Sequence, residues 1–253
     1  MTPEQVQQSL RSRPSPGEME NFADAAANGN NVAVMGFLDK YSAFIDEKVI
    51  GGYTALIKAA EAGKNDTVEL LLQRGANPEI GERYHLTGMM VAAMRGCTDT
   101  IAILLENGAS VDTKSKAGRT ALMYAAGRGQ VKAAAFLLEA GAGINEVAEN
   151  KKTPLIIAAQ AGEAEMVNFL LEQGAIPVIQ DKDGWTAETW AEKSVHPEIA
   201  EVLKRHAALY LAEEKRLQAE KHAAWLKETD CAQGLPQPMP VRRPLTFPGK
   251  MKL

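Results

Sequence analysis

The side chains with the widest chemical repertoire are few in this chain and poorly spaced for joint work. Its four histidines, His85, His196, His206 and His222, are the candidate metal ligands and proton carriers. His206 and His222 are sixteen residues apart, too far along a helix to share a metal and on different faces of it. His196 precedes Pro197, where a loop meets a helix start. The two cysteines, Cys97 and Cys231, stand in no metal-like spacing and give no disulfide framework, which suits a reducing compartment. Cys97 follows a glycine at a position read as structural, so no reactivity is assigned to it. Carboxylates are abundant, but no two are set for burial as an acid–base pair. The phosphate-cradling pattern Gly-x-x-x-x-Gly-Lys-Ser/Thr, the nucleophile turn Gly-x-Ser-x-Gly and the zinc pair His-Glu-x-x-His are all absent from the sequence. No catalytic, cofactor-binding or metal-ligating residue is expected, and the chain is read as not an enzyme.

Charge and hydropathy narrow the field further. The balance of 32 acidic against 28 basic residues gives a net charge of -4, no basis for non-specific nucleic-acid binding. No stretch approaches the ~20 apolar residues of a membrane span, and residues 1–20 contain no apolar run of the signal-peptide kind. A cytoplasmic location is the expectation. Apolar residues at 45% and charged residues at 24% are globular values.

The elements that would carry a function are set by a repeat. Thr54-Ala-Leu-Ile-Lys-Ala-Ala60, Thr87-Gly-Met-Met-Val-Ala-Ala93, Thr120-Ala-Leu-Met-Tyr-Ala-Ala126 and Thr153-Pro-Leu-Ile-Ile-Ala-Ala159 align without a gap, each threonine 33 residues after the last. Thr186-Ala-Glu-Thr-Trp-Ala-Glu192 follows in register but is degraded. Gly63, Gly96, Gly129 and Gly162 follow at constant distance. A second apolar pattern comes next, in Val68–Leu72, Ile101–Leu105, Ala134–Leu138 and Val167–Leu171, and each copy closes on Gly-Ala at 75–76, 108–109, 141–142 and 174–175. Each threonine opens a helix as a cap, its hydroxyl accepting from otherwise unpaired N–H groups. The alanine pair lets neighbouring helices approach, and the following glycine ends the helix in a left-handed turn. One such unit cannot bury its apolar face alone, so stacked copies supply the core.

The pattern resembles the ankyrin repeat over roughly residues 18–205. The resemblance implies an all-α solenoid of stacked helix-turn-helix units with projecting loops, whose work is to bind another protein. Six repeats are expected, at about 18–49, 50–81, 82–114, 115–147, 148–180 and 181–205, with atypical first and last copies. The family usually reads Thr-Pro-Leu-His at the helix start. Here the proline survives only at Pro154, and the histidine position holds Ile57, Met90, Met123, Ile156 and Thr189. Apolar contact is expected to replace the polar bonds of that histidine, leaving the loops less firmly tied. The loop glycine is also replaced twice, by His85 and Lys151.

The flanks differ from the array. Residues 1–17 are polar, hold three prolines and are read as disordered. Beyond Pro197 no glycine or proline appears until Gly234, so the last helix is expected to continue to about Thr229, with a helical extension over 206–230. Leu203, Tyr210, Leu217 and Ala224 follow heptad spacing on it, interrupted by the charged run Glu213–Arg216. Residues 231–253 hold five prolines, four basic residues and no acidic one. They read as a disordered tail, or as a linear motif or a segment that folds back along the solenoid.

In such arrays the ligand usually lies against the concave face of loop tips and inner helices. Tyr53, Leu86, Arg119, Lys152 and Trp185 precede the helix-opening threonines, and Lys58, Val91, Tyr124, Ile157 and Trp190 take the variable inner-helix position. With Arg83, Tyr84, Arg95, Lys116, Arg128 and Lys151 nearby, the face is basic and aromatic on a net acidic protein. The candidate partner-binding residues are Tyr53, Arg83, Tyr84, Arg95, Arg119, Tyr124, Arg128, Lys152 and Trp185. The expected partner is another protein, bound through an acidic or acidic-apolar segment by a monomer acting as an adaptor or inhibitor. An exported bacterial effector and a non-catalytic subunit of an enzyme complex are the alternatives.

Overall fold

The computed structural model describes residues 13–230; the expectations for residues 1–12 and 231–253 lie outside them. Twelve α-helices follow one another among the described residues, with no strand. They pair as α1 (Pro16–Asn28) with α2 (Asn31–Tyr41), α3 (Ala55–Glu61) with α4 (Asn65–Gln73), and α5 (Gly88–Arg95) with α6 (Thr98–Glu106). The series continues with α7 (Ala121–Ala126) and α8 (Val131–Glu139), α9 (Pro154–Ala161) and α10 (Ala164–Glu172), and α11 (Ala187–Lys193) and α12 (Pro197–Asp230). Odd-numbered helices pack in an inner row and even-numbered helices in an outer row, each against its neighbour one repeat away. The chain is an all-α solenoid.

The repeated residues explain the stacking. Ala59, Ala60, Ala92, Ala93, Ala125, Ala126, Ala158 and Ala159 are fully buried, which lets the inner helices touch almost backbone to backbone. Leu71, Leu104, Leu137 and Leu170 fill the same layer between inner and outer rows, each stabilising it by roughly 1.5–3 kcal/mol. Ile57, Met90, Met123 and Ile156 are also buried, so apolar contact does occupy the histidine position. The threonine hydroxyls of Thr54, Thr87, Thr153 and Thr186 accept from the backbone N–H three residues on. Thr120 is the exception: its hydroxyl is buried with no partner among the described residues.

The loops are tied by main-chain bonds even without the histidine. The N–H of Lys116 donates to the carbonyl of Tyr84 (2.9 Å), that of Glu149 to Ala117 (3.1 Å) and that of Lys182 to Asn150 (3.0 Å). His85 (φ 57°) and Lys151 (φ 58°) adopt the left-handed conformation that Gly118 and Gly184 adopt in the other loops, so the turn persists without its glycine.

The two ends depart from the interior. Helix α1 begins at Pro16, inside the stretch read as disordered, because Ser15 and Glu18 form a reciprocal capping box around a proline at the first helical position. At the far end α12 runs 34 residues, about 50 Å, and up to residue 225 only Ile199, Ala200 and Leu203 are buried. Leu217 is half-buried and Ala224 exposed.

Candidate functional site

The candidate residues stand on the inner helices or in the loops ahead of them, and by their surroundings they separate into two groups. The first lies in the middle. Val91 and Met94 on α5, with Glu61, Arg95, Arg128 and Gln130, line an open groove of about 480 Å³. The Arg95 guanidinium donates to Glu61 at 2.7 Å, and its side chain remains 60% exposed. That bond, more than any other influence, raises the Arg95 pKa further and keeps the guanidinium charged. Arg128, at the corresponding position of the next repeat, is exposed and has no ion pair among the described residues. Arg83 and Tyr84 project from the loop ahead of α5, with Tyr84 63% exposed.

The second group lies towards the C-terminal end and is spent on internal contacts. Lys152 is buried, with Nζ 3.4 Å from the centre of the Trp190 ring and donating to Gln160 Oε1 at 2.7 Å. Burial pushes its pKa down and Arg119 adds to this, while Asp181 and Asp183 oppose it. The Trp190 indole N–H donates to Asp181 Oδ2 at 2.7 Å, and Asp181 Oδ1 accepts from the N–H groups of Asp183 and Trp185. Burial alone would raise the Asp181 pKa, but these bonds outweigh it and the carboxyl titrates below its usual range. Trp185 meets Trp190 edge-on at 4.9 Å, and Lys193 Nζ covers Trp185 at 3.8 Å. The result is a pile of Lys152, Trp190, Trp185 and Lys193 in which each cation already has its ring.

Arg119 and Tyr124 stand between the groups. The guanidinium lies 5.9 Å from the Tyr124 ring, and the Tyr124 hydroxyl donates to Ser115 Oγ at 3.1 Å. Tyr53 is half-buried and packs against the core. Of the nine candidates, Arg83, Tyr84, Arg95 and Arg128 are thus presented to solvent, whereas Lys152 is buried and Trp185, Arg119, Tyr124 and Tyr53 are partly enclosed.

Sequence reasoning missed one periodic set. Asp46, Glu79, Asp112 and Asn145, spaced by 33, accept through their side chains from the backbone N–H groups of Asn77, Ser110, Gly143 and Ile176 in the following repeat. Burial raises the Asp46 pKa, and the bond from Asn77 partly offsets this. The spacing was visible, but the chain partners were not. These three carboxylates and one amide tie each repeat to the next.

A model of ankyrin repeats in three copies matches residues 78–148 and 141–214, and a model of the single ankyrin repeat matches residues 51–82. The chain belongs to the ankyrin repeat family. No curated protein matches it. Ankyrin arrays in general are non-catalytic binding modules, and the repeats mark this chain as a module of the kind used for protein–protein interaction. None of the helices described is long and apolar enough to cross a membrane.

Proposed function

We propose that this ankyrin array is a cytoplasmic adaptor or inhibitory module that binds a partner protein on the middle of its inner face. The segment bound carries carboxylates beside an apolar side chain. The observation that carries this reading is the groove in which Arg95 and Arg128, one repeat apart, flank Val91 and Met94. Arg128 has no ion pair among the described residues, so a carboxylate from outside would meet a cation that has no competing partner. Arg83 and Tyr84, exposed on the loop ahead of α5, are read as a second contact for the same partner, because arginine and tyrosine are among the residue types that most often dominate interface energies. The pile around Trp190 acts as a rigid boundary to the site and does not contact the ligand.

Panning a displayed peptide library against the full chain tests the reading. Enriched peptides are expected to hold at least two carboxylates around an apolar residue. They should lose tenfold or more in affinity for the double substitution Arg83→Glu and Arg128→Glu. Enrichment of basic peptides, or binding that survives the double substitution, would overturn the assignment.

A further inference from the structure

The two arginines that border the groove stand on turns of the same shape but have different neighbours. Arg95 and Arg128 are 33 residues apart, one repeat. After Arg95, the Gly96 N–H donates to the Ala93 carbonyl (3.2 Å) and the Cys97 N–H to Ala92 (3.0 Å). After Arg128, the Gly129 N–H donates to Ala126 (3.4 Å) and the Gln130 N–H to Ala125 (3.0 Å). Equivalent backbone therefore carries the two guanidinium groups. Arg95 reaches back to the preceding repeat and donates to Glu61 Oε1 at 2.7 Å. The residue that stands to Arg128 as Glu61 stands to Arg95 is Met94, an uncharged thioether that lines the same groove.

Other cations of the inner helices are satisfied within the chain. Lys58 donates to Asp24 of the preceding repeat at 2.9 Å, and Lys193 lies on the Trp185 ring at 3.8 Å. Arg128 has no ion pair among the described residues. Glu163 of the following repeat lies over Gly129 and makes none with it. The repeat translation thus marks a place, over Met94, where a carboxylate is missing.

Charge sets what belongs there. Arg95 and Arg128 against Glu61 leave one positive charge on the groove wall. A single carboxylate closes that balance, whereas a phosphate dianion would leave a negative excess beside Glu61. Neighbouring inner helices lie roughly 8–10 Å apart. A carboxylate over Met94 therefore stays about one Debye length from Glu61 at physiological salt. The Met94 side chain beneath it offers an apolar floor for the methylenes that carry the charge.

We propose that the Glu61–Arg95 pair is the template for ligand recognition one repeat on. One side-chain carboxylate of the partner sits over Met94 and holds on Arg128 the place that Glu61 holds on Arg95. Glu61 is then a specificity determinant: by occupying Arg95 it leaves one guanidinium open and fixes the register of the bound segment. This rests on the reading of the inner face as the binding surface.

Exchanging the two acceptors tests it at constant composition and net charge. The full chain with Glu61→Met and Met94→Glu supplies Arg128 with a carboxylate in cis and leaves Arg95 over a thioether. The probe is the displayed peptide library, panned on each chain. In the unaltered chain Arg128→Gln should weaken the enriched acidic peptides about fivefold, and Arg95→Gln less than about twofold. In the exchanged chain the dependence should transfer, with Arg95→Gln costing about fivefold and Arg128→Gln less than about twofold. Glu61→Gln alone, which keeps Met94 in place, should let either arginine bind, so that only their joint replacement gives the full loss.

Continued dependence on Arg128 in the exchanged chain, or equal dependence on both arginines, would overturn the template and leave the inner-face reading standing. An exchanged chain that melts like the unaltered one yet enriches no acidic peptide would do the same. If the exchange lowers the melting temperature, the Glu61→Gln chain decides, and dependence on Arg128 alone there overturns the template. Phosphopeptides that outbind their glutamate counterparts would overturn the single-carboxylate assignment. Acidic peptides indifferent to Arg128 in the unaltered chain would overturn both the template and the reading beneath it.

Discussion

The middle and the C-terminal end of the inner face are built from the same repeat positions and carry similar charge, yet they are chemically unlike. In the middle, Arg128 stands exposed beside Val91 and Met94. At the end, Lys152 and Lys193 lie on Trp190 and Trp185, and Asp181 is occupied by an indole N–H and two backbone donors. The contrast shows that counting cations on a face overstates what that face can offer a ligand. A cation held on its own aromatic ring contributes to folding, and only one without such a partner is free to pair across an interface.

Substitutions that separate folding from binding break or sharpen this contrast. The largest effect belongs to Trp190→Ala, which removes the ring beneath Lys152 and leaves Asp181 without its indole donor. It should destabilise the array by roughly 3 kcal/mol in urea unfolding. Peptide binding in the middle of the face should stay within twofold, and a parallel loss of binding would merge the two regions into one site. Arg128→Glu should do the reverse, weakening acidic peptides about tenfold (~1.4 kcal/mol) with the melting temperature unchanged. Smaller still, Lys151→Gly should stabilise the protein by about 0.5 kcal/mol, because it relieves a side chain held at φ 58°. An unchanged unfolding midpoint would show that the loop absorbs that strain.

The smallest effect is confined to acid. Glu18 accepts from the backbone N–H and the hydroxyl of Ser15, and these bonds, with those from Tyr41 and Lys40, hold its pKa at about 2 against a usual value of 4.5. A carboxyl whose folded pKa is depressed stabilises the fold above the unfolded value, so this contribution is complete above about pH 4.5 and fades as pH falls towards 2. Glu18→Gln should flatten the dependence of thermal stability on pH in that window and change little at pH 7. An unaltered acid profile would remove Glu18 from the account.

Most of the fold was legible because a single stacking rule recurs every 33 residues and each copy repeats the evidence. Thr54, Ala59, Gly63 and Leu71 announce one unit, and their equivalents announce the next three. What was not legible concerns pairing between distant positions. Nothing in the sequence marks Lys152 as buried and Arg128 as open, since both are cations near a loop or helix end. The difference arises because Trp190, a full repeat beyond Lys152, turns its ring over that ammonium group. The unpartnered hydroxyl of Thr120 was likewise beyond reach, for its motif matches those of the threonines that do cap. The start of α1 could have been read from Ser15, Pro16 and Glu18, whose spacing is that of a capping box.

The side-chain ladder from Asp46 to Asn145 and the main-chain bonds between loop tips overlap unevenly. The ladder links the first five repeats, and the loop bonds link the third to the sixth. Only the junctions on either side of the fourth repeat, residues 115–147, carry both ties. In a chain whose cooperativity passes between nearest neighbours, that doubly fastened centre is expected to be the last place where amide protons exchange, a pattern that native-state hydrogen exchange would check. The groove borders this segment through Arg128 and Gln130, so on that expectation a ligand would meet a surface that stays assembled while the ends of the array open.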